Sequence, residues 1–194
     1  MHLKLINNYR EYEQQIYDFL IEYNKVKNET IPLPIWYEYD VFEHYCQYLE
    51  LRSRGLGDNV PSTLYFTLDE DRNMVVGAVD FRHYLNDRLL AYGGHIGDLV
   101  LPSERRKGIA TVQINLALEK YREMGIEKVL ITCEADNIGS AKSIINNGGI
   151  LENEVEAKGK IFQRYWVDLM GDLETRVDEE NNLVSKTSLE AKIC

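Results

Sequence analysis

Apolar and polar positions along the chain change their period several times, and each change marks an element. Residues 1–6 alternate, which predicts a short first strand. From Tyr9 to Tyr23 the residues Ile16, Phe19, Leu20 and Tyr23 recur at three- and four-residue steps, as in an amphipathic helix. Pro32 and Pro34 forbid a helix interior in the stretch from Asn24 to Asp40, leaving a loop that carries Trp36, Tyr37 and Tyr39. A second helix is expected from Val41 to Arg54, stopped at Gly55-Leu56-Gly57. Ser62–Leu68 and Met74–Tyr84 are rich in β-branched and aromatic residues. They are separated by Asp69-Glu70-Asp71-Arg72-Asn73, which predicts a hairpin.

A polar interruption at 85–93 leads to a strand at His95–Leu101. The helix after Gly108 places Ile109, Val112, Leu116 and Met124 broadly on one face and ends at Gly125. Lys128–Cys133 is an almost continuous apolar run, expected of a strand buried on both faces. A short helix at Asn137–Asn147 stops at Gly148-Gly149, and strands at Ile150–Glu156 and Ile161–Leu169 follow. The order β, α, α, β, β, β, α, β, α, β, β predicts an α+β domain over residues 1–169, a mixed sheet with helices on both faces. Residues 170–194 are polar without a sustained stripe and are expected to form a mobile tail.

Composition narrows the classes. With 44% apolar and 28% charged residues in 194, the chain reads as an ordinary globular protein and not as a disordered or disulfide-dense one. Lys plus Arg is 22 against 32 Asp plus Glu, a net charge of −10, so polyphosphate is repelled over most of the surface and a cationic substrate attracted. Nucleic acid is therefore not an expected partner. Cys46, Cys133 and Cys194 form no CxxC pair, which argues against a zinc site or disulfide framework and for reduced thiols. The first residues lack the apolar core of a signal peptide and no stretch has the length of a membrane span, so the expected location is the cytoplasm.

The chemical signal lies at 96–116, where a strand passes through a glycine-containing turn into a helix. A helix start presents unpaired N–H groups and partial positive charge, and Gly108 and Ala110 let an anion approach the backbone. Arg105, Arg106 and Lys107 concentrate positive charge there. The turn reads either as a phosphate cradle or as a basic helix cap on a solvated face. It has neither the GxxxxGK[ST] spacing of a Walker loop nor a GxGxxG fingerprint.

Arg105-Arg106-Lys107-Gly108-Ile109-Ala110, preceded by Val100-Leu101-Pro102, resembles the Arg/Gln-x-x-Gly-x-Gly/Ala turn of the GNAT superfamily of N-acetyltransferases. Asn137-Ile138-Gly139-Ser140-Ala141, with Asn146-Asn147-Gly148-Gly149 downstream, is similar to its second motif. The element order agrees to about Leu169, and the similarity is nearest to the branch containing the ribosomal-protein N-terminal acetyltransferases. The resemblance implies a mostly antiparallel sheet of about seven strands, splayed between the fourth and fifth. It also implies acetyl-CoA as acyl donor, no metal, and a small-molecule or peptide amine as acceptor. Carried over, Arg105, Arg106, Lys107, Gly108, Ile109, Ala110 and Thr111 form the pyrophosphate turn. The backbone of Asp98, Leu99 and Val100 pairs with the pantetheine arm, and Asn137 and Ser140 stand near it. A homodimer through the late strands is compatible with this pattern.

Transfer from a thioester to an amine needs a base for the ammonium proton, fixed donors for the oxyanion and a proton or hydrogen bond for the thiolate. The family often supplies the last from a Tyr on the helix after Asn137, but that position here is Ile144. Ser140 is the first replacement, against the alternative of a helix-start serine bonding its own backbone. Tyr165 is the second, against a packing aromatic. Glu134, at the end of its strand, and Asp98, beside the thioester, are candidates for base or ammonium anchor, with a water chain as the alternative. His83 and His95 are candidates for the acceptor-binding site that could titrate near neutrality, or else hydrogen-bonded structural groups. Trp36, Tyr37 and Tyr39 would suit one wall of a cation-binding acceptor site or simply cover the core edge.

Overall fold

The computed structural model describes residues 1–25, 41–57 and 59–170. The aromatic loop with Trp36, Tyr37 and Tyr39 and the tail beyond Met170 lie outside the described residues. Seven strands form one sheet: β1 (Leu3–Ile6), β2 (Ser62–Asp69), β3 (Met74–Arg82), β4 (Ile96–Val100), β5 (Lys128–Glu134), β6 (Ile150–Ala157) and β7 (Lys160–Asp168), in the order β1-β2-β3-β4-β5-β7-β6. Every neighbouring pair is antiparallel except β4–β5. Among the described residues four α-helices flank the sheet: α1 (Glu13–Asn24), α2 (Phe42–Ser53), α3 (Ile109–Glu123) and α4 (Ile138–Ile145).

Strand alternation sends successive side chains to opposite faces, so each face collects its own core. On one face Ile16, Phe19 and Leu20 of α1 and Tyr45 and Leu49 of α2 pack on Leu64, Phe66, Ala78 and Leu99. On the other, Ile114, Ala117, Leu118 and Tyr121 of α3 and Ile144 of α4 cover Val79, Phe81, Ile96, Ile131 and Tyr165. The elements follow the expected order closely, but the buried face of α3 is Ile109, Gln113, Ile114, Ala117, Leu118 and Tyr121, so that Val112 and Met124 of the expected stripe are exposed and Leu116 lies at the rim. The first helix differs at its start, where Tyr9–Tyr12 form a 3-10 turn before α1. That turn lets the Tyr9 hydroxyl reach inward and donate to the Leu64 carbonyl at 2.7 Å.

The polar interruption before β4 is also more ordered than its composition implies. Leu89–Gly93 form one turn of π-helix, begun by Asn86, whose side chain accepts the Leu89 N–H at 3.0 Å. Arg82 holds its end by donating to the carbonyls of Gly93 and Gly94 at 2.5 and 3.0 Å. Among the described residues no helix is long and apolar enough to cross a membrane.

Candidate active site

The sheet opens beside β4. β4 pairs with β5 at a single position, Ile96↔Ile131, whereas β3 follows β4 from Gly77↔Val100 to Phe81↔Ile96 and β7 follows β5 along its whole length. Each strand is thus held by its outer neighbour, and a gap separates Gly97–Val100 from Thr132–Glu134. At the far end of β4 a 3-10 turn, Pro102–Glu104, leads into the start of α3.

That start has the features of an anion site. Arg106 and Gly108 are both left-handed, with φ of +66° and +82°, and no side chain caps α3. The first amides of the helix, on Ile109, Ala110 and Thr111, therefore lack intrahelical acceptors. The side-chain charge is smaller than the Arg-Arg-Lys run implies, because Lys107 Nζ is paired with Glu104 at 3.0 Å, while Arg105 Nε is turned to the Val100 carbonyl at 3.3 Å. Backbone, not side-chain charge, is what the turn chiefly offers. Thr111 and α4 are tied together: its hydroxyl meets Ser143 Oγ at 3.3 Å, and Asn147 Nδ2 donates to its carbonyl at 3.0 Å.

Glu104 anchors the turn from inside. It is 5% exposed, and Arg72 grips it with two hydrogen bonds at 3.0 and 2.8 Å while also bonding the buried Asp69 at 2.7 Å. Arg72, then Lys107, hold the Glu104 carboxyl down to about 2 against the opposing effect of burial.

Strand parity divides the candidate catalytic residues. Asp98, Cys133 and Tyr165 face α3 and α4, where Ser140 makes a hydrogen bond with the Cys133 thiol, itself pushed up to about 11 mainly by burial. Asn137 caps α4, its side-chain oxygen accepting the Ser140 N–H at 3.1 Å. The Tyr165 hydroxyl donates to Gln163 at 2.7 Å. Glu134, an odd step along β5 from Cys133, points to the opposite face, where Lys160 holds it at 2.6 Å. Ser140, Asp98 and Tyr165 are thus brought together, and Glu134 is set apart across the sheet.

The histidines lie at the closed end. His83 meets Thr63 Oγ1 at 2.9 Å, beyond the paired part of β3 and β4. His95 is buried, and its Nδ1 accepts the Leu130 N–H at 2.9 Å. Burial, aided by the nearby Arg82 charge, lowers the His95 imidazole to about 4. The unfolded chain takes up this proton near pH 6.5, so its contribution to stability is complete above that pH and is lost as pH falls toward about 4. Between pH 7 and pH 5 the wild type is expected to lose about 5 °C more in melting temperature than His95→Asn, whose carbonyl can still accept from Leu130. Equal losses in a thermal melt at the two pH values would remove this role.

The acetyltransferase (GNAT) family model matches residues 14–143, well over half of the chain. The chain belongs to the GNAT acetyltransferase family. An N-acetyltransferase from Staphylococcus aureus Mu50 shares 16% identity at TM-score 0.60, over 87% of this chain and 99% of its own. The ribosomal-protein-S5-alanine acetyltransferase from Vibrio fischeri shares 15% at TM-score 0.55, over 86% and 91%. A microcin C7 self-immunity acetyltransferase, solved with acetyl-CoA and AMP, shares 18% at TM-score 0.60, over 86% and 92%. At such identities these structures share the fold. No curated protein sequence matches.

Membership gives meaning to residues the sequence pattern did not single out. Gln113 bonds the candidate residue Asp98, Thr67 bonds Gln113, Lys160 pairs with the candidate residue Glu134, and Arg72 holds Glu104 beside the turn. Gln113 alone carried a signal, as a polar residue on the apolar stripe of α3. Among the described residues no cluster of His, Cys, Asp or Glu could hold a metal ion.

Proposed function

We propose that this GNAT protein moves acetyl from acetyl-CoA to a primary amine by direct attack, with both substrates bound together. The observation that carries this reading is the uncapped, left-handed turn at Gly108, ending a strand that parts from its parallel neighbour after one paired position. A pyrophosphate bound by the amides of Ile109, Ala110 and Thr111 would direct the pantetheine arm along Asp98, Leu99 and Val100. The gap would then receive the thioester, and the Leu99 and Val100 amides are the proposed oxyanion donors.

Ser140, whose hydrogen bond to the Cys133 thiol sets it on the Asp98 face, is the proposed hydrogen-bond donor to the departing sulfur, with Tyr165, bonded to Gln163, as the second candidate. Glu134, on the other face, is the proposed acceptor of the ammonium proton, directly or through water, with Lys160 holding its carboxylate in place at 2.6 Å. The net charge of −10 favours an amine substrate, a small molecule or a peptide N-terminus.

One observation supports a rival reading, a CoA-binding module without turnover: Ile144, where the family often carries a Tyr, is wholly buried and has no hydroxyl. Calorimetric titration with acetyl-CoA followed by thiol release with a panel of amines separates the two. Binding without release for any amine would overturn transfer. Ser140→Ala is expected to lower kcat about tenfold while acetyl-CoA affinity stays within about twofold, and an unchanged kcat would remove its role.

A further inference from the structure

On α3 the stripe turned toward the sheet includes one polar residue, Gln113, with no exposed surface. Its carboxamide is held from both ends. Thr67 on β2 donates its hydroxyl to Oε1 at 3.0 Å, and Nε2 donates to Asp98 Oδ2 at 3.1 Å and to the Leu99 carbonyl at 3.3 Å. Exchanging the amide's oxygen and nitrogen would set Oε1 against the Leu99 carbonyl, which has no proton to give, so the orientation is fixed. Gly77 on β3 makes the room: a Cβ there would stand 2.5 Å from Gln113 Oε1 and 2.8 Å from the Leu99 oxygen.

Four elements thus cooperate to aim one carboxyl group. Packing alone does not call for this, because apolar residues at 98 and 113 would fill the same space without burying polar groups.

Asp98 stands where β4 has left β5, and among the described residues no cation pairs with it. From β5 the titratable group that interacts with it is the neutral Cys133 thiol, which in turn bonds Ser140. Burial raises the Asp98 carboxyl above the ordinary range, with the Gln113 bond opposing the shift. Oδ2 is engaged by Gln113, which leaves Oδ1 to carry a proton.

We propose that Asp98 donates the proton taken up by the CoA sulfur and that Gln113 is its positioning residue. This inference rests on the acetyl-transfer reading above. As the nitrogen–carbon bond forms and the carbon–sulfur bond breaks, the electron pair passes to sulfur and the Oδ1 proton follows it. Asp98 is left as a carboxylate and recovers a proton from solvent, which receives the one shed by the acceptor nitrogen. An ionised Asp98 would oppose the developing thiolate with like charge, whereas a neutral carboxyl relieves it.

The binding test needs no acceptor. CoA and desulfo-CoA, which lacks the sulfur, are titrated into the wild type and Asp98→Ala. The variant is expected to bind CoA about fivefold more weakly and desulfo-CoA equally well; equal changes for the two, or none, overturn the proposal. The kinetic test is a double-mutant cycle. Asp98→Asn and Gln113→Leu are each expected to lower kcat about tenfold with the KM for acetyl-CoA within about twofold. The double variant should fall no further than Asp98→Asn alone, because Gln113 acts through Asp98. Losses that multiply would reduce Gln113 to a packing residue. Should Gln113→Leu not fold, Thr67→Val serves in its place, with a loss of about threefold that is silent beside Asp98→Asn. A wild type that binds acetyl-CoA but acetylates no amine defeats the transfer reading alone, and the sulfur-dependent affinities then decide Asp98.

Discussion

Gly108→Val is expected to weaken acetyl-CoA binding at least about a hundredfold while leaving the fold in place. Gly108 adopts φ +82° at the start of α3, and an added Cβ would meet nothing within 4 Å. The protein therefore has room for the side chain, and the cost is twofold. A residue with a Cβ pays roughly 1–2 kcal/mol to stay left-handed, and a β-branched one more. The branched side chain would also stand beside the Ile109 and Ala110 amides, where the anion is proposed to lie. Gly108→Ala separates the terms, since it adds the strain with little bulk and should weaken binding only about tenfold. Titration calorimetry with acetyl-CoA measures both. Full affinity in Gly108→Val would show that the anion does not rest on this turn.

Arg72→Ala is expected to destabilise the fold about as much as truncating a core side chain, although Arg72 is itself 41% exposed. Its guanidinium joins Asp69 and Glu104, whose side chains are only 2% and 7% exposed. Removing it leaves two buried carboxylates short of a partner, with Lys107 alone among the described residues still pairing with Glu104. Breaking a buried pair costs about 3–5 kcal/mol; allowing for the solvent that reaches Arg72, roughly 2–4 kcal/mol remains. For a chain of this length that is a fall of about 5–12 °C in melting temperature. Because the folded Glu104 carboxyl is depressed to about 2, its contribution is complete above pH 4.5 and is lost as pH falls through about 2. The acid limb of wild-type stability should therefore shrink in Arg72→Ala. Thermal melts between pH 7 and pH 3 measure this, and parallel curves for the two proteins would refute the assignment.

The same residues show how far one-dimensional reading reaches. Ile16, Phe19, Leu20 and Tyr23 fall at helical spacing and occupy the buried face of α1. Gly108 and Asn137 stand at helix starts, where φ and capping are local matters, and the structure finds them there. The positive charge of Arg105-Arg106-Lys107 was legible, but its partial neutralisation by Glu104 was not. Glu104 answers chiefly to Arg72, 32 residues earlier, and nothing in the intervening sequence couples the two.

Asp98, Glu134, Ser140 and Tyr165 were likewise legible as polar groups near one cleft. Their division between two faces depends on strand parity combined with strand order. Parity is local, but order places β5 between β4 and β7, and only that brings Asp98 and Cys133 to the same side of the gap.

By itself the sequence determined the strands and α-helices, their succession, the glycine turn before α3 and the start of α4 at Asn137, because dihedral preference and periodicity act within a few residues. The tertiary structure decided which carboxylates are paired, which candidates share a face, and that Gln113 and Thr67 hold Asp98. Those outcomes arise where segments distant in the chain exclude water together, and the energy of a buried charge or hydrogen bond depends on every group that closes around it.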